Sequence, residues 1–148
     1  MLSSDFDIRS HFLLKIPTLP DERGKLAVIE PERMLPFKIR RTYHLYDVPA
    51  GAERGGHAHM ALDQLLIAIS GSFSVEVEDS HGKHAYMLNQ PNEALYIGSM
   101  VWRAMTNFSS NAVCLVLASE PYDESDYIRS YDDFRAKIAE VKNASPVC

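Results

Sequence analysis

Two histidines, His57 and His59, are the side chains in this 148-residue sequence whose type and spacing most favour chemistry. They are separated by one residue, and side chains alternate along an extended segment, so both imidazoles are predicted to point to the same face. Arg54 and a glycine pair precede them, and Gln64 follows. Two rings in such surroundings are unusual as packing, so we predict a functional pair. The other histidines are predicted to be surface or hydrogen-bonded core residues: His11, His44, His81 and His84.

Proton transfer is one chemistry that such a pair can perform. The unperturbed pKa of histidine is about 6.5, so each ring can accept or donate a proton near pH 7. Moving a carbonyl group along a sugar needs a base for the proton beside the ketone, a cation or hydrogen-bond donor for the enediolate, and an acid for the neighbouring carbon. His57, His59 and a flanking arginine or tyrosine would meet these needs.

Metal binding is the alternative, because the spacing between Gly51 and Gly71 resembles the first cupin motif, Gly-x5-His-x-His-x4-Glu-x6-Gly. A cupin iron, manganese or zinc site uses three histidines and a glutamate. Here Gln64 stands in place of the glutamate. The stretch that matches the second motif has Arg103, which is always charged, in place of the third histidine. We therefore predict no metal and a pocket that attracts an anion.

Length, composition and charge narrow the class of protein. The length predicts one domain over residues 1–148, and the apolar fraction of 46% is enough to fill a core. A net charge of −5 argues against a nucleic-acid partner. The two cysteines, Cys114 and Cys148, are too few for a disulfide framework, which favours a reducing, cytoplasmic setting. The apolar run near the N-terminus is too short for a signal peptide or a membrane span.

Short alternating segments separated by turns predict an antiparallel sandwich or barrel over roughly residues 10–120. The period then changes, because Tyr131, Phe134, Ile138 and Val141 recur at helical spacing after a sequence similar to a capping box. We predict a C-terminal helix over roughly 131–142 that packs on the barrel or on a partner subunit.

A long strand is predicted over residues 37–46, and its apolar face includes Arg41 and Tyr43. Both side chains are therefore expected to point inward. A buried arginine needs a partner, since burying an unpaired charge is unfavourable. Either a ligand anion or a carboxylate of the core would serve.

Several blocks of the sequence together resemble a known family, the dTDP-4-keto-6-deoxy-glucose 3,4-ketoisomerases, or WxcM-like cupins, over about residues 12–138. The resemblance implies an all-β, RmlC-like cupin jelly-roll barrel with a C-terminal α-helix. The blocks are Asp21-Glu22-Arg23-Gly24, Pro36-Phe37, Arg41-Thr42-Tyr43, Arg54-Gly55-Gly56-His57-Ala58-His59, Gln64, Leu95-Tyr96-Ile97, Val101-Trp102, Asn107-Phe108-Ser109, Leu117-Ala118-Ser119 and Tyr122-Asp123-Glu124-Ser125-Asp126-Tyr127-Ile128-Arg129.

The activity implied by this resemblance is a metal-independent isomerisation that uses no cofactor. A dTDP-4-keto-6-deoxyhexose would become its 3-keto isomer, on the way to an amino sugar of a surface polysaccharide such as the O-antigen of lipopolysaccharide. Members of the family form homodimers that exchange N-terminal strands. His57 and His59 inherit the roles of the catalytic pair, one as the base at C3 and the other in proton delivery to C4, with the assignment open.

Substrate-binding residues are also implied by the resemblance. Arg41 and Arg54 are candidates for the diphosphate, because guanidinium groups match phosphate oxygens. Tyr43 is a candidate for the sugar, and Arg103 for the hexose or the enediolate. Gln64 would orient a histidine or bind the sugar, and Arg23 would reach the site if the first strands cross to a partner.

The positions at which this sequence differs from the family, and the alternative functions, concern the same pocket. Met60 stands where members often have lysine, and the position of Arg103 varies between histidine and arginine in the family, which leaves a galacto or a gluco product open. The rivals are another sugar-nucleotide isomerase or a 3,5-epimerase, which pairs a histidine base with a tyrosine acid, a non-catalytic nucleotide-sugar-binding cupin, and a metal-dependent oxygenase with other ligands.

Overall fold

Alternation of apolar and polar residues produces two antiparallel sheets in the computed structural model, which describes residues 10–144, with backbone only from 142. Residues 1–9 and Cys148 lie outside this range. The elements in chain order are β1 His11–Lys15, β2 Thr18–Asp21, β3 Gly24–Ala27, α1 Pro31–Met34, β4 Arg41–Tyr46, β5 Arg54–His59, β6 Gln64–Ser70, β7 Phe73–Asp79, β8 Gly82–Leu88, β9 Glu93–Ile97, β10 Trp102–Thr106, β11 Val113–Ala118, a 3-10 turn Glu124–Asp126, β12 Tyr127–Ile128 and α2 Tyr131–Ala144.

The strands form two five-stranded sheets with the orders β1-β9-β6-β11-β4 and β12-β5-β10-β7-β8. A separate two-stranded hairpin, β2-β3, pairs with neither sheet. The main core contains inward side chains of both sheets, among them Leu66 and Val116 from the first and Val75 and Met105 from the second. This is a jelly-roll barrel with a C-terminal helix, so the predicted fold class is confirmed.

The first sheet is buried on both faces, and this corrects one predicted strand. Phe37 and Ile39 pack on the outer face of the sheet against Tyr96 and Leu65, in a second apolar cluster. The strand begins only at Arg41, so a single strand over 37–46 was wrong at its start. The inward direction of Tyr43 is confirmed, because its ring packs against the main core.

Gly71 is needed at the tight turn between β6 and β7. Its φ is +66°, a left-handed conformation that side chains rarely adopt. A Cβ atom there would also overlap Ser109 and approach the Cα of Ala112 to 2.8 Å. The glycine that closes the histidine motif is thus fixed by backbone geometry.

Helix α2 covers the outer face of the second sheet, as predicted, and its backbone extends to Ala144. Phe134 and Ile138 are buried against Ala58 and Ile128. The Phe134 ring lies 5.7 Å from that of Trp102. Ser130 Oγ accepts from the Asp133 amide at 3.2 Å, which is one half of a capping box. In residues 10–144, no helix is long and apolar enough to cross a membrane.

Truncating the buried face of this helix should destabilise the protein. Phe134→Ala removes a fully buried ring and leaves a cavity, so the free energy of unfolding should fall by about 3–5 kcal/mol. Val141→Ala, at a 55% exposed position of the same helix, should change it by less than about 0.5 kcal/mol. Urea denaturation measures both, and equal losses would mean that α2 does not pack as described.

Candidate active site

A cavity of about 470 Å³ opens at one end of the barrel, and four of the predicted site residues line it. They are Arg41, Tyr43, Arg54 and His57. Strand register assembles this end, because His57 lies opposite Arg103 on β10, and His59 lies opposite Tyr127 on β12. The inward-facing side chains of these neighbouring strands therefore lie close together at this end of the barrel.

Strand β5 approaches β10 closely just before the histidines. Gly55 has a φ of +88°, and a Cβ atom on it would lie 3.1 Å from the Arg103 carbonyl oxygen. The β5–β10 register shifts between Arg103 and Ala104 at the same place. The glycine pair thus permits the bulge that aims the following residues into the cavity.

The two imidazoles contact each other and share an aromatic neighbour. Their ring centroids are 4.9 Å apart, and the Tyr127 ring lies 4.9 Å from His57 and 4.3 Å from His59. His57 lines the cavity, whereas His59 is 1% exposed. His57 Nδ1 and His59 Nε2 are buried without a hydrogen-bond partner in the described part of the chain. Neither nitrogen therefore has a side-chain hydrogen-bond partner within residues 10–144.

Burial keeps both histidines neutral at pH 7. Desolvation, followed by the positive charge of Arg103, lowers the pKa of His57 to about 4 and that of His59 to about 2. For His59, the charges of His57, Arg41 and Arg129 act in the same direction. Each ring thus presents a lone pair at neutral pH and can act as a base.

Behind the histidines, Arg103, Gln64 and Tyr43 form one hydrogen-bonded chain. Arg103 Nη1 donates to Gln64 Oε1, and its Nε and Nη2 donate to the Val101 carbonyl oxygen. Gln64 Nε2 in turn donates to the Tyr43 hydroxyl at 2.9 Å. Burial lowers the pKa of Arg103 to about 10, so it stays charged at neutral pH.

Two predicted contacts differ from this arrangement. Gln64 was expected to orient a histidine or bind the sugar, but its amide is bonded to Arg103 and Tyr43. Arg103 was expected in the pocket, yet it is 2% exposed and lies beneath the cavity rather than on its wall. Both side chains act on the site from behind, through hydrogen bonds and charge.

The hydrogen-bonded side chains of Arg103, Gln64 and Tyr43 are unsuited to binding a cupin metal. The amide of Gln64 is already bonded to a cation and a hydroxyl, and the guanidinium beside it repels a second cation. Within residues 10–144, no three His, Cys, Asp or Glu side chains are grouped to hold a metal ion. The residues therefore do not fit the metal that the fold commonly binds.

The remaining predicted arginines differ in position. Arg41 lies over the rings of Tyr43 and Tyr122, at 5.3 and 5.8 Å, and its Nε is buried without a hydrogen-bond partner. No carboxylate of residues 10–144 forms an ion pair with it, which removes the core carboxylate as its partner. Arg23 lies at the tip of the β2-β3 hairpin, bonded to Asp21 at 3.0 Å, and is not on the cavity wall of its own chain.

The segment 122–129 supplies site residues that were not predicted. Tyr127 and Arg129 line the cavity, and the Arg129 guanidinium lies 4.2 Å from the Tyr127 ring centre. Arg129 is held by Glu124 through hydrogen bonds of 2.6 and 2.9 Å. Asp126 contacts His59. The family block over these residues was the available signal, but β12 has only two residues and no periodicity to detect.

The fold and the site together define a class, a cupin with a histidine pair at its cavity and a buried arginine behind the pair. The family described as "FdtA: WxcM-like, C-terminal" matches residues 9–139, and the chain belongs to it. The TDP-4-oxo-6-deoxy-alpha-D-glucose-3,4-oxoisomerase of Aneurinibacillus thermoaerophilus is 43% identical over 121 residues, which are 82% of this chain and 87% of that protein.

Solved structures agree in fold. QdtA, a sugar 3,4-ketoisomerase from Thermoanaerobacterium thermosaccharolyticum in complex with TDP, is 38% identical with a TM-score of 0.86, covering 90% of this chain and 98% of that one. WlaRB, a TDP-quinovose 3,4-ketoisomerase from Campylobacter jejuni, is 42% identical with a TM-score of 0.81, covering 86% and 98%. The RmlC epimerase of Mycobacterium tuberculosis, 16% identical with a TM-score of 0.69 over 86% and 72%, shares the fold.

Breaking the buried chain at its centre should cost stability. Gln64→Met keeps the volume but leaves Arg103 Nη1 without its acceptor and the Tyr43 hydroxyl without its donor, so the free energy of unfolding should fall by about 2–4 kcal/mol. Arg40→Gln, which breaks an exposed ion pair of 3.5 Å with Glu120, should cost less than about 0.5 kcal/mol. A Gln64→Met protein as stable as the unmodified one in urea would contradict the network.

Proposed function

We propose that this protein is a 3,4-ketoisomerase that converts a dTDP-4-keto-6-deoxyhexose into its 3-keto isomer. The observation that carries the proposal is the histidine pair, with two unpartnered ring nitrogens next to a cationic cavity. Family membership supports it, because relatives across the fold are named as TDP-sugar 3,4-ketoisomerases. A rival 3,5-epimerase lacks such support, since the epimerase similarity is at the level of the fold.

Proton abstraction from C3 is the first step. We assign it to His57, because this ring lines the cavity whereas His59 lies deeper. Its lowered pKa, about 4, keeps the lone pair available at neutral pH. The C3–H electron pair forms the C3–C4 double bond, and the C4 carbonyl oxygen becomes negatively charged.

Stabilisation of the enediolate is the second requirement. The Arg103 charge and the Tyr43 hydroxyl lie at the base of the site, on the same inward face as the histidines. A fixed cation in a water-poor environment stabilises developing negative charge at little reorganisation cost. Arg103 thus acts through its field rather than through contact.

Proton return to C4 completes the isomerisation. The C3 hydroxyl proton passes to the C4 oxygen, a protonated imidazole delivers a proton to C4, and the C3 oxygen becomes the new carbonyl. We assign delivery to the histidine pair, whose rings are 4.9 Å apart. The step needs no redox partner, because atoms and electrons balance within the sugar.

The diphosphate is assigned to Arg41 and Arg54. Both line the cavity, and Arg41 Nε has no partner among the described residues, so a phosphate oxygen would satisfy it. Arg129 is also on the wall, but Glu124 holds its guanidinium.

A reducing, cytoplasmic location is consistent with Cys114, a free thiol whose pKa burial raises to about 12.

The direct test follows the solvent proton. With dTDP-4-keto-6-deoxyglucose in deuterated water, the product should carry deuterium at C4, because the proton delivered there comes from groups that exchange with solvent. NMR reads both the label and the C4 configuration, galacto or gluco. Turnover should survive prolonged treatment with EDTA. Absence of a 3-keto product would refute the proposal, whereas product without label at C4 would show that the C3 proton is returned without exchange.

Variants of the pair serve as controls for this test. His57→Asn and His59→Asn should each lower turnover by about 10²–10⁴-fold, the usual contribution of a general acid or base. Binding of dTDP, measured by calorimetry, should change little, since the diphosphate is held elsewhere. Turnover that persists in both variants would show that the pair is structural.

We also propose a homodimer that exchanges its N-terminal hairpin. The β2-β3 hairpin pairs with neither sheet, and an isolated two-stranded hairpin is marginal in water. Leu19 and Leu26, paired across it, are 62% and 59% exposed. Arg23 at its tip is 86% exposed, which suits a residue that enters the partner's cavity.

The dimer is tested by sedimentation. The unmodified protein should sediment as a dimer, and Leu19→Glu with Leu26→Glu should shift it to monomer, because two charges would enter an apolar contact. Met87→Glu, at a 54% exposed position on β8, should leave the dimer intact. A monomer at all concentrations, or a double variant that stays dimeric, would overturn this assignment.

A further inference from the structure

Asp126 lies at the end of the 3-10 turn and is bonded to the β5–β6 connection through both carboxylate oxygens. Its Oδ1 accepts from the Ala61 amide at 2.8 Å, and its Oδ2 accepts from the Leu62 amide at 3.3 Å. Its backbone carbonyl accepts from the Met60 amide at 2.9 Å. Three hydrogen bonds from consecutive residues thus fix Asp126 in place, and two of them are to its carboxylate.

The same carboxylate faces the deeper histidine. Asp126 Oδ2 lies 3.1 Å from His59 Nδ1. No other carboxylate of residues 10–144 lies within ion-pair distance of that ring. An ionised carboxylate can only accept a hydrogen bond. His59 Nδ1 must therefore carry the proton, and the lone pair is on Nε2.

The other nitrogen of this ring has no hydrogen-bond partner. His59 Nε2 is buried and unpaired in the described part of the chain. A neutral ring held through Nδ1–H therefore has one site at which it can take a proton. The Tyr127 ring packs against this imidazole, with the ring centroids 4.3 Å apart.

We infer that Asp126 is a positioning residue, which holds His59 in the Nδ1–H tautomer so that Nε2 exchanges the proton during the reaction. The second half of this inference rests on the proposed function. When Nε2 takes a proton the ring becomes an imidazolium, and when Nε2 returns it the ring is neutral again. The Nδ1 proton never leaves, and no further reagent is needed.

The surroundings explain why such a partner is needed. Arg103, Arg41, Arg129 and His57 all act on His59 against its protonated form. Asp126 supplies a negative charge that favours that form. It therefore stabilises the imidazolium at the moment when it exists, as a buried aspartate does for a catalytic histidine elsewhere.

Asp126→Asn tests this inference with little change of shape. The amide oxygen can still accept from Ala61, whereas the amide nitrogen loses the bond from the Leu62 amide and donates toward His59 Nδ1. That nitrogen must then accept, so the ring should change to the Nε2–H tautomer. Long-range ¹H–¹⁵N correlation spectra of the ligand-free, ¹⁵N-histidine-labelled protein distinguish the two forms, and kcat should fall by about 10²–10⁴-fold with KM within about threefold.

Two further variants separate positioning from structure. Asp126→Glu keeps a carboxylate and should restore the Nδ1–H tautomer together with part of kcat. Asp123→Asn makes the same chemical change in the same turn, where the side chain bonds Ser125 and not a histidine. It should leave the His59 tautomer unchanged and kcat within about threefold.

The outcomes distinguish this inference from the proposed function. If His59 is Nε2–H in the unmodified protein, or stays Nδ1–H in Asp126→Asn, the positioning role is wrong whether or not the protein turns over. If the tautomer changes as expected but kcat does not, the role of Nε2 in catalysis is wrong. If the unmodified protein makes no 3-keto product, the proposed function fails while the tautomer measurement still decides the role of Asp126.

Discussion

One buried positive charge, the guanidinium of Arg103, determines the properties of the surrounding site. Desolvating a charge is unfavourable, and in residues 10–144 no carboxylate lies within ion-pair distance to cancel it. Neutral oxygens of Gln64 and Val101 hold it instead. Because these partners are neutral, the field of Arg103 adds to burial in lowering the pKa of both histidines, and it favours anions at the base of the cavity.

The two sheets of the barrel hold the hydrogen-bonded side chains of Tyr43, Gln64 and Arg103 in position. Tyr43, Gln64 and Arg103 come from β4, β6 and β10, which belong to two different sheets. The hydrogen bond from Arg103 to Gln64 therefore forms only when the two sheets are packed face to face. Gln64 and Arg103 stand at two positions where the cupin motifs have metal ligands. Here they form a hydrogen bond with each other across the core.

The sequence was most informative where periodicity is long. Alternation correctly predicted an antiparallel barrel and the inward side of Tyr43, and the helical spacing predicted α2. It failed at Phe37 and Ile39, because the same alternation continues while these residues pack on the other face of the sheet. Asp126 could not be paired with His59 from sequence, since the two are 67 residues apart and meet only through a two-residue strand.

Some residues of this site lie on the strands of the barrel and others lie on the segment 122–129, and the two groups differ in how readily they can be replaced. The histidines and the buried cation are contributed by strands, whose replacement would disturb the core. The segment 122–129 lies outside the two main cores, and Tyr122 and Arg129 on it are exposed. Surface loops tolerate insertion and exchange far better than strands do. Exchange at the exposed Arg129 can therefore remodel the cavity wall, whereas Asp126 and Ile128 of the same segment are fixed by their contacts with His59 and with the Phe134 cluster.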